Sequence, residues 1–443
     1  MGLEQMVKKY LITGAQYMAP ANRKFMDTLD KYAKVNDAEI LILPVYYKKT
    51  DEPILHERFA EYKVIDSDYS LNSNVQIKKF DVRPQSINPE TGLGRFARSD
   101  KTTIFASPKQ RIKVLPNDKY LPKVLMTTGF ATKPTYSSGF VISQKAKHDH
   151  KYGAVVLEIE DNNIFHYRHI DSQVNGKFCD LNKLYDGKKT PKTIRPTIVF
   201  GDTHAAHLDK KVFKANIKAL GEFKPRNLVL HDVFDGASIN HWSEKKQYDK
   251  VREYDHIKLS LEREAKLTLK VINDYASALP KDAKLYIVKS NHDERIDRWL
   301  NEGRYLNEPQ NNVLGHELYV AKYKGHDVLQ YLLESVGDID KKVHFIPRDK
   351  GLKIHGFQVG YHGDERFNGG RGGIGSIENA YGKSVVGHMH TPQIMRDTYV
   401  VGTNSILDVS YNTGHSAWMH TNAVVNPLGK AQLYNVIKGR YRL

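Results

Sequence analysis

The sequence predicts an α/β protein in two parts: an N-terminal α/β domain over residues 1–185, a linker at 186–196, and a second α/β domain with helical insertions over 197–443. Three observations lead there. The chain opens on a strand–helix–strand pattern, a stretch rich in lysine, proline and glycine ("YDGKKTPKTIRP") breaks the pattern near 186, and beyond it short apolar runs repeatedly end in clusters of His, Asp and Asn. A chain of 443 residues is also long for one hydrophobic core.

Taken in order, "KYLITGAQ" reads as a strand, "ANRKFMDTLDKYAKV" as a helix by its spacing of apolar positions, and "AEILILPVYY" as a second strand. The turn "TGAQYMAP" has one glycine and no GxGxxG or Walker pattern, so this opening is a structural α/β module rather than a nucleotide site. Further strands are expected at "PKVLMTTGF", "SGFVIS" and "YGAVVLEIE". In the second part, "TIVF" runs into "GDTHAAH", "NLVL" into "HDVFDG", "KLYIVK" into "SNHDE", "FQVG" into "YHGDE" and "SVV" into "GHMH". Strands of α/β sheets carry their sites at their carboxyl ends. Between the second and third clusters, "EYDHIKLSLEREAKLTLKVINDYASAL" has helical spacing, its charges forming a solvated face.

Composition narrows the chemistry. Cys179 is the lone cysteine, so the chain forms no internal disulfide and no cysteine-based zinc site, in keeping with a reducing cytoplasm. A metal must then be held by His, Asp, Glu or Asn. The longest apolar runs are too short to cross a bilayer, "MGLEQMVKKY" lacks a secretory apolar region, and Met6 breaks the myristoylation pattern. Lys plus Arg exceeds Asp plus Glu by 67 to 51, a formal net charge of +16, which favours polyanionic partners such as nucleic acid.

Carboxylate, amide and imidazole are the ligands of hard and intermediate divalent cations, and a two-metal centre needs a carboxylate between ions about 3.5–4 Å apart. His388 and His390 stand one residue apart, so an extended or tightly turned chain aims both at one region. The ordered series D-x-H, D-x-x-D, N-H-D, a single H and G-H-x-H resembles the calcineurin-like metallophosphoesterase superfamily over about residues 197–425. That resemblance implies an αββα sandwich and a pair of divalent ions; manganese is the first choice because mixed His, Asp and Asn ligands of intermediate hardness suit it, with iron, zinc or magnesium as alternatives. It implies that Asp202, His204 and His390 hold one ion, that Asn291, His362 and His388 hold the other, and that Asp232 bridges them. It also implies a metal-bridging hydroxide as nucleophile and His292 facing the substrate, with Asp235 as the partner that orients His292.

The chain departs from the family pattern at His231 and Ser290, which replace glycines; His231 is placed to add a hydrogen bond behind the ligands. Gly236 follows Asp235 where protein Ser/Thr phosphatases have arginine, which lowers that reading. His207, His241, Arg366 and Arg371 are substrate-contact candidates. Asp293 and Glu294 read as residues that fix the loop, and "RFNGGRGGIGS" as a turn or lid. His148, His150, His166 and His169 have zinc-like spacing but no companion motif.

The metal motifs resemble the Mre11/SbcD nuclease branch, whereas the extra N-terminal region resembles host-DNA-degrading proteins of T5-type phages. The expectation is therefore a DNA phosphodiesterase in the cytoplasm, that of the host for a phage protein, with DNA and a second copy of the chain as partners and no membrane. A small-molecule or nucleotide phosphoesterase and a non-catalytic nucleic-acid-binding scaffold are the alternatives.

Overall fold

The computed structural model describes residues 7–96, 101–117, 121–137, 139–240, 260–365, 373–408 and 414–442. The opening βαβ unit forms as the sequence predicts. Strands Lys8–Gln16 and Ala38–Val45 pair in parallel, from Lys9 opposite Ala38 to Gln16 opposite Val45, and helix Arg23–Asn36 connects them. Asn22 caps that helix by accepting from the Phe25 amide, which satisfies one of the free N–H groups of the first turn. Phe25, Met26, Leu29 and Tyr32 form its buried face. Strands Tyr152–Ile159 and Phe165–Ser172 extend this sheet antiparallel on one side, and Lys63–Val64 completes five strands on the other.

The run "SGFVIS" is not a strand. It leads into helix Val141–His148, which buries Ser143 and Ala146 and leaves Phe140, Val141 and Ile142 exposed. A short apolar run does not by itself separate strand from helix, and the following "QKAKH" continues at helical spacing.

The six-stranded sheet has the order Val343–Ile346, Lys284–Val288, Asn227–His231, Thr197–Val199, Thr421–Asn426, Lys430–Asn435. Its first four strands are parallel and its last two antiparallel. Burial follows the two-residue period of a strand covered on both faces. Ile198, Leu228, Leu230 and Ile287 pack with Val212, Leu220, Ile272 and Leu332 of the covering helices Lys210–Phe223, Leu261–Ala278 and Val328–Val336. The alternate residues Val199, Val229 and Val288 pack with Val385, Ile394 and Tyr399 of a second sheet. That second sheet has ten strands, ordered Lys353–Ile354, Phe357–Gln358, Ser384–Val386, Thr398–Val400, Gln393–Met395, Arg111–Val114, Val124–Thr127, Thr102–Phe105, Val75–Ile77, Tyr69–Ser70. Helix Ile374–Tyr381 lies against it through Ile377, Val386 and Val400.

Segments from both sides of the expected 186–196 linker meet in the ten-stranded sheet, where Ile394 stands opposite Ile112. The linker stretch contributes strand Lys192–Thr193 to a small sheet with Phe178–Asp180 and Lys183–Tyr185. Among the described residues no helix is long and apolar enough to cross a membrane.

Candidate metal centre

Three neighbouring parallel strands of the six-stranded sheet end on the same edge. The loops that follow them carry Asp202 and His204, Asp232, and Asn291. Phe357–Gln358 and Ser384–Val386, parallel in the other sheet, lead into His362 and into His388 and His390. Asp202, His204, Asp232 and His390 are buried, and one ligand atom from each lies within 4.8 Å of the others.

His390 Nε2 is 2.9 Å from Asp202 Oδ2 and 3.0 Å from His204 Nε2. The same Asp202 oxygen accepts the His388 amide at 2.7 Å. Asp232 Oδ2 lies 3.6 Å from His204 Nε2 and 3.3 Å from His362 Nε2. One carboxylate oxygen thus stands between a residue assigned to the first ion and a residue assigned to the second. His362 Nδ1 is 3.9 Å from Asp202 Oδ1, and the His388 ring meets the His362 ring edge-on with centroids 5.2 Å apart.

These atoms fit divalent cations. Oδ1 of Asp202, Asp232 and Asn291, both ring nitrogens of His362 and Nδ1 of His390 are buried without hydrogen-bond partners. Buried polar atoms left unpaired are costly, and here they gather at one point as a set of oxygen and imidazole donors suited to such ions. Backbone strain gathers there too. His204, Asp232, His388 and His390 have φ of 45°, 47°, 71° and 55°, each costing about 1–3 kcal/mol for a residue with a side chain. The glycine of the GHMH motif has a steric reason: a Cβ on Gly387 would fall 2.1 Å from Asp202 Oδ1. A Cβ on Gly201 would fall 2.7 Å from the Gly402 carbonyl oxygen.

Without cations the charges rearrange around protons. Burial works against the His204 imidazolium, but Asp235 and Asp232 outweigh it and lift its pKa to about 9. His362 reaches about 9 in the same way, through Asp232 and Asp202. Burial would raise Asp202, yet His362 and His390 hold it at about 2. His292 goes the other way, to about 4, because desolvation dominates.

The partner of His292 differs from the sequence expectation. Asp235 Oδ1 is bonded to His204 Nδ1 at 2.8 Å, and its Oδ2 accepts the Ala206 amide at 3.0 Å. The group bonded to His292 is Arg295, whose Nη2 donates to His292 Nε2 at 3.1 Å while Nη1 donates to the Asp235 carbonyl oxygen at 2.6 Å. Arginine only donates, so the neutral His292 ring carries its proton on Nδ1, an atom buried with no partner. Asp235 remains close enough to share a cluster with His204 and His292 within 4.8 Å. Arg295 lies one helical turn after His292 in "NHDER", and that spacing is the signal that could have found it.

His231 also differs. Its ring nitrogens make no hydrogen bond, and the ring lies against His362 with centroids 5.6 Å apart. Ser290 does what a glycine could not: its Oγ accepts the Asp293 amide, while Asp293 Oδ2 accepts the Ser290 amide at 2.8 Å. Glu294 pairs with Arg348 at 2.9 Å, so both acids fix the loop. His207 follows in the His204 turn, its amide donating to the His204 carbonyl oxygen at 2.8 Å. His241, Arg366 and Arg371 lie outside the described residues. The N-terminal histidines do not converge. His150 and His169 bond the carbonyl oxygens of Thr132 and Thr127, His166 bonds Glu160, and His148 is exposed.

No family model matches the chain. Protein A1 of Escherichia phage T5 is 25% identical over 472 aligned positions, spanning 98% of this chain and 83% of that protein. Among solved structures, Vps29 of Chaetomium thermophilum is similar with a TM-score of 0.23 and 12% identity, covering 38% of this chain and 92% of that one.

Proposed function

We propose that the chain is a dinuclear-metal-dependent phosphodiesterase acting on DNA, working as a nuclease. The observation that carries this reading is the Asp232 carboxylate oxygen set between His204 and His362, beside buried atoms of Asp202, Asn291, His362 and His390 that have no hydrogen-bond partner. Asp202, His204 and His390 would hold one ion, and Asn291, His362 and His388 the other. When bound, the ions supply the Lewis acidity that brings water to attack at neutral pH and offsets the charge growing on the phosphoryl oxygens. Manganese suits this mixed donor set, with iron, zinc and magnesium as alternatives.

The remaining work belongs to the chain. Water adds to phosphorus in line as the bond to the leaving oxygen opens. His292, fixed by Arg295, presents its Nδ1–H to the phosphoryl group or the leaving oxygen. Asp235 keeps the His204 ring in one orientation, as a carboxylate behind a ligand imidazole does. The net charge of +16 favours a polyanionic substrate. The near full-length similarity to a phage T5 protein supports a phage enzyme working in the host cytoplasm.

The test is digestion of circular and linear, single- and double-stranded DNA by the purified chain with manganese, repeated with EDTA and with Asp232→Asn. Cleavage that both controls abolish is the expected result. Intact DNA beside hydrolysed bis(4-nitrophenyl) phosphate would move the substrate to small molecules, and turnover of neither would overturn the reading.

A further inference from the structure

Strand Val343–Ile346, the fourth parallel strand of the six-stranded sheet, leads to no candidate ligand, yet a side chain just past its end ties together two loops that carry them. The strand pairs with Lys284–Val288, Val288 standing opposite Ile346. Two residues beyond Ile346, Arg348 meets two carboxylates. Its Nε and Nη2 donate to Glu294 Oε1 and Oε2 at 2.9 and 3.1 Å. Its Nη1 donates to Asp364 Oδ1 at 2.6 Å, and Nη2 donates also to Asp364 Oδ2. The Arg348 side chain is 18% exposed and that of Asp364 10%.

The two carboxylates belong to different loops. Glu294 stands three residues after Asn291, on the loop that leaves the six-stranded sheet, and Asp364 two residues after His362, on the loop that leaves the ten-stranded sheet. Asn291 and His362 are candidate ligands of the same ion. The candidate ligands of the other ion touch directly, His390 Nε2 lying 2.9 Å from Asp202 Oδ2 and 3.0 Å from His204 Nε2. Asn291 Oδ1 has no hydrogen-bond partner, so its place relative to His362 depends on how the two loops are held together. An arginine near a phosphoesterase centre is first read as a phosphate contact. Here four of its five N–H groups are already taken. Forked, charge-assisted bonds of this kind are among the stronger side-chain pairings, and turning Arg348 toward a phosphate would leave Asp364 a nearly buried acid without its partner.

We infer that Arg348 is a positioning residue for the ion assigned to Asn291, His362 and His388, clamping the Asn291 loop to the His362 loop so that ligands from two sheets face one cation. The inference rests on the dinuclear-metal reading and adds to it a residue that touches neither ion nor substrate. Lysine cannot replace it, because an ammonium is a point donor and does not grip two carboxylates side by side.

The test is manganese binding to the full chain, followed by titration calorimetry and by electron paramagnetic resonance. The wild type should take up two ions per chain and give the spectrum of an exchange-coupled pair. Arg348→Ala and Arg348→Lys should hold one ion at wild-type affinity and bind the other roughly ten- to a hundredfold more weakly, as loss of a group behind a metal ligand does. At a manganese concentration that fills both wild-type sites, their spectrum should be that of isolated ions. Glu294→Gln opens one side of the clamp at a side chain that is 41% exposed, so it tests the clamp even where Arg348→Ala fails to fold. It should weaken one ion in the same direction with the far-ultraviolet circular dichroism unchanged, and in manganese-soaked crystals its surviving anomalous peak should lie beside Asp202, His204 and His390. Two ions at wild-type affinity in all three variants, equal weakening of both ions, or a surviving peak beside Asn291 overturns the clamp and leaves the dinuclear reading standing. Fewer than two ions on the wild type overturns that reading, and the clamp with it.

Discussion

His292 is held by a neighbour that no metal motif names. Its Nε2 takes a hydrogen bond from Arg295, so the ring is fixed and its free N–H faces away from the arginine. His292→Ala should leave both cations bound, as read by elemental analysis, and lower DNA hydrolysis by roughly 10²–10⁴-fold, the range for a lost proton donor. Unchanged turnover would remove His292 from the chemistry. His204 and His362 lead to a second expectation, about pH. Both have folded pKa values of about 9, above the ordinary 6.5. In the cation-free chain their contribution to stability is whole below pH 6.5 and is lost as pH climbs through 9. Cations need the unprotonated rings, so metal affinity should rise over the same interval, with protons released on binding. Calorimetry in two buffers of different ionisation enthalpy would show the release; a buffer-independent heat would contradict it. The candidate ligands were legible in the sequence because metal chemistry restricts residue type and order, and the structure brings Asp202, His204, Asp232 and His390 together. Arg295 was legible only as a spacing one turn after His292, because an arginine there has many uses and the hydrogen bond shows which one it serves.

At the scale of elements, the site depends on loops from two sheets approaching closely, and glycines permit that approach. Gly387 precedes both histidines of the GHMH turn, and any Cβ there would run into Asp202. Gly387→Ala should displace that carboxylate and weaken cation binding by roughly ten- to a hundredfold, with the far-ultraviolet circular dichroism unchanged. Wild-type affinity in this variant would show that Asp202 has room the structure does not give it. The strands that carry the candidate ligands were legible from their apolar cores and polar ends, and the opening βαβ unit from its periodicity. "SGFVIS" was not, because a three-residue apolar run fits either period until its neighbours are known.

For the whole molecule, pairing between distant strands is what a single sequence conceals most. Nothing local in "RIKV" or "QIM" announces that Ile112 and Ile394 lie side by side, yet that register ties the N-terminal strands into the sheet that bears His362, His388 and His390. Net charge is legible at this scale, and it makes a prediction. DNA affinity should fall with salt along a log–log slope of about −3 or steeper, the signature of several neutralised phosphates; a flat dependence would exclude a backbone-tracking surface. The most direct test of the account is anomalous diffraction from crystals soaked in manganese. The account predicts two peaks, one on either side of Asp232, with the first beside Asp202, His204 and His390 and the second beside Asn291, His362 and His388. An absence of ions at these side chains under saturating manganese would contradict it.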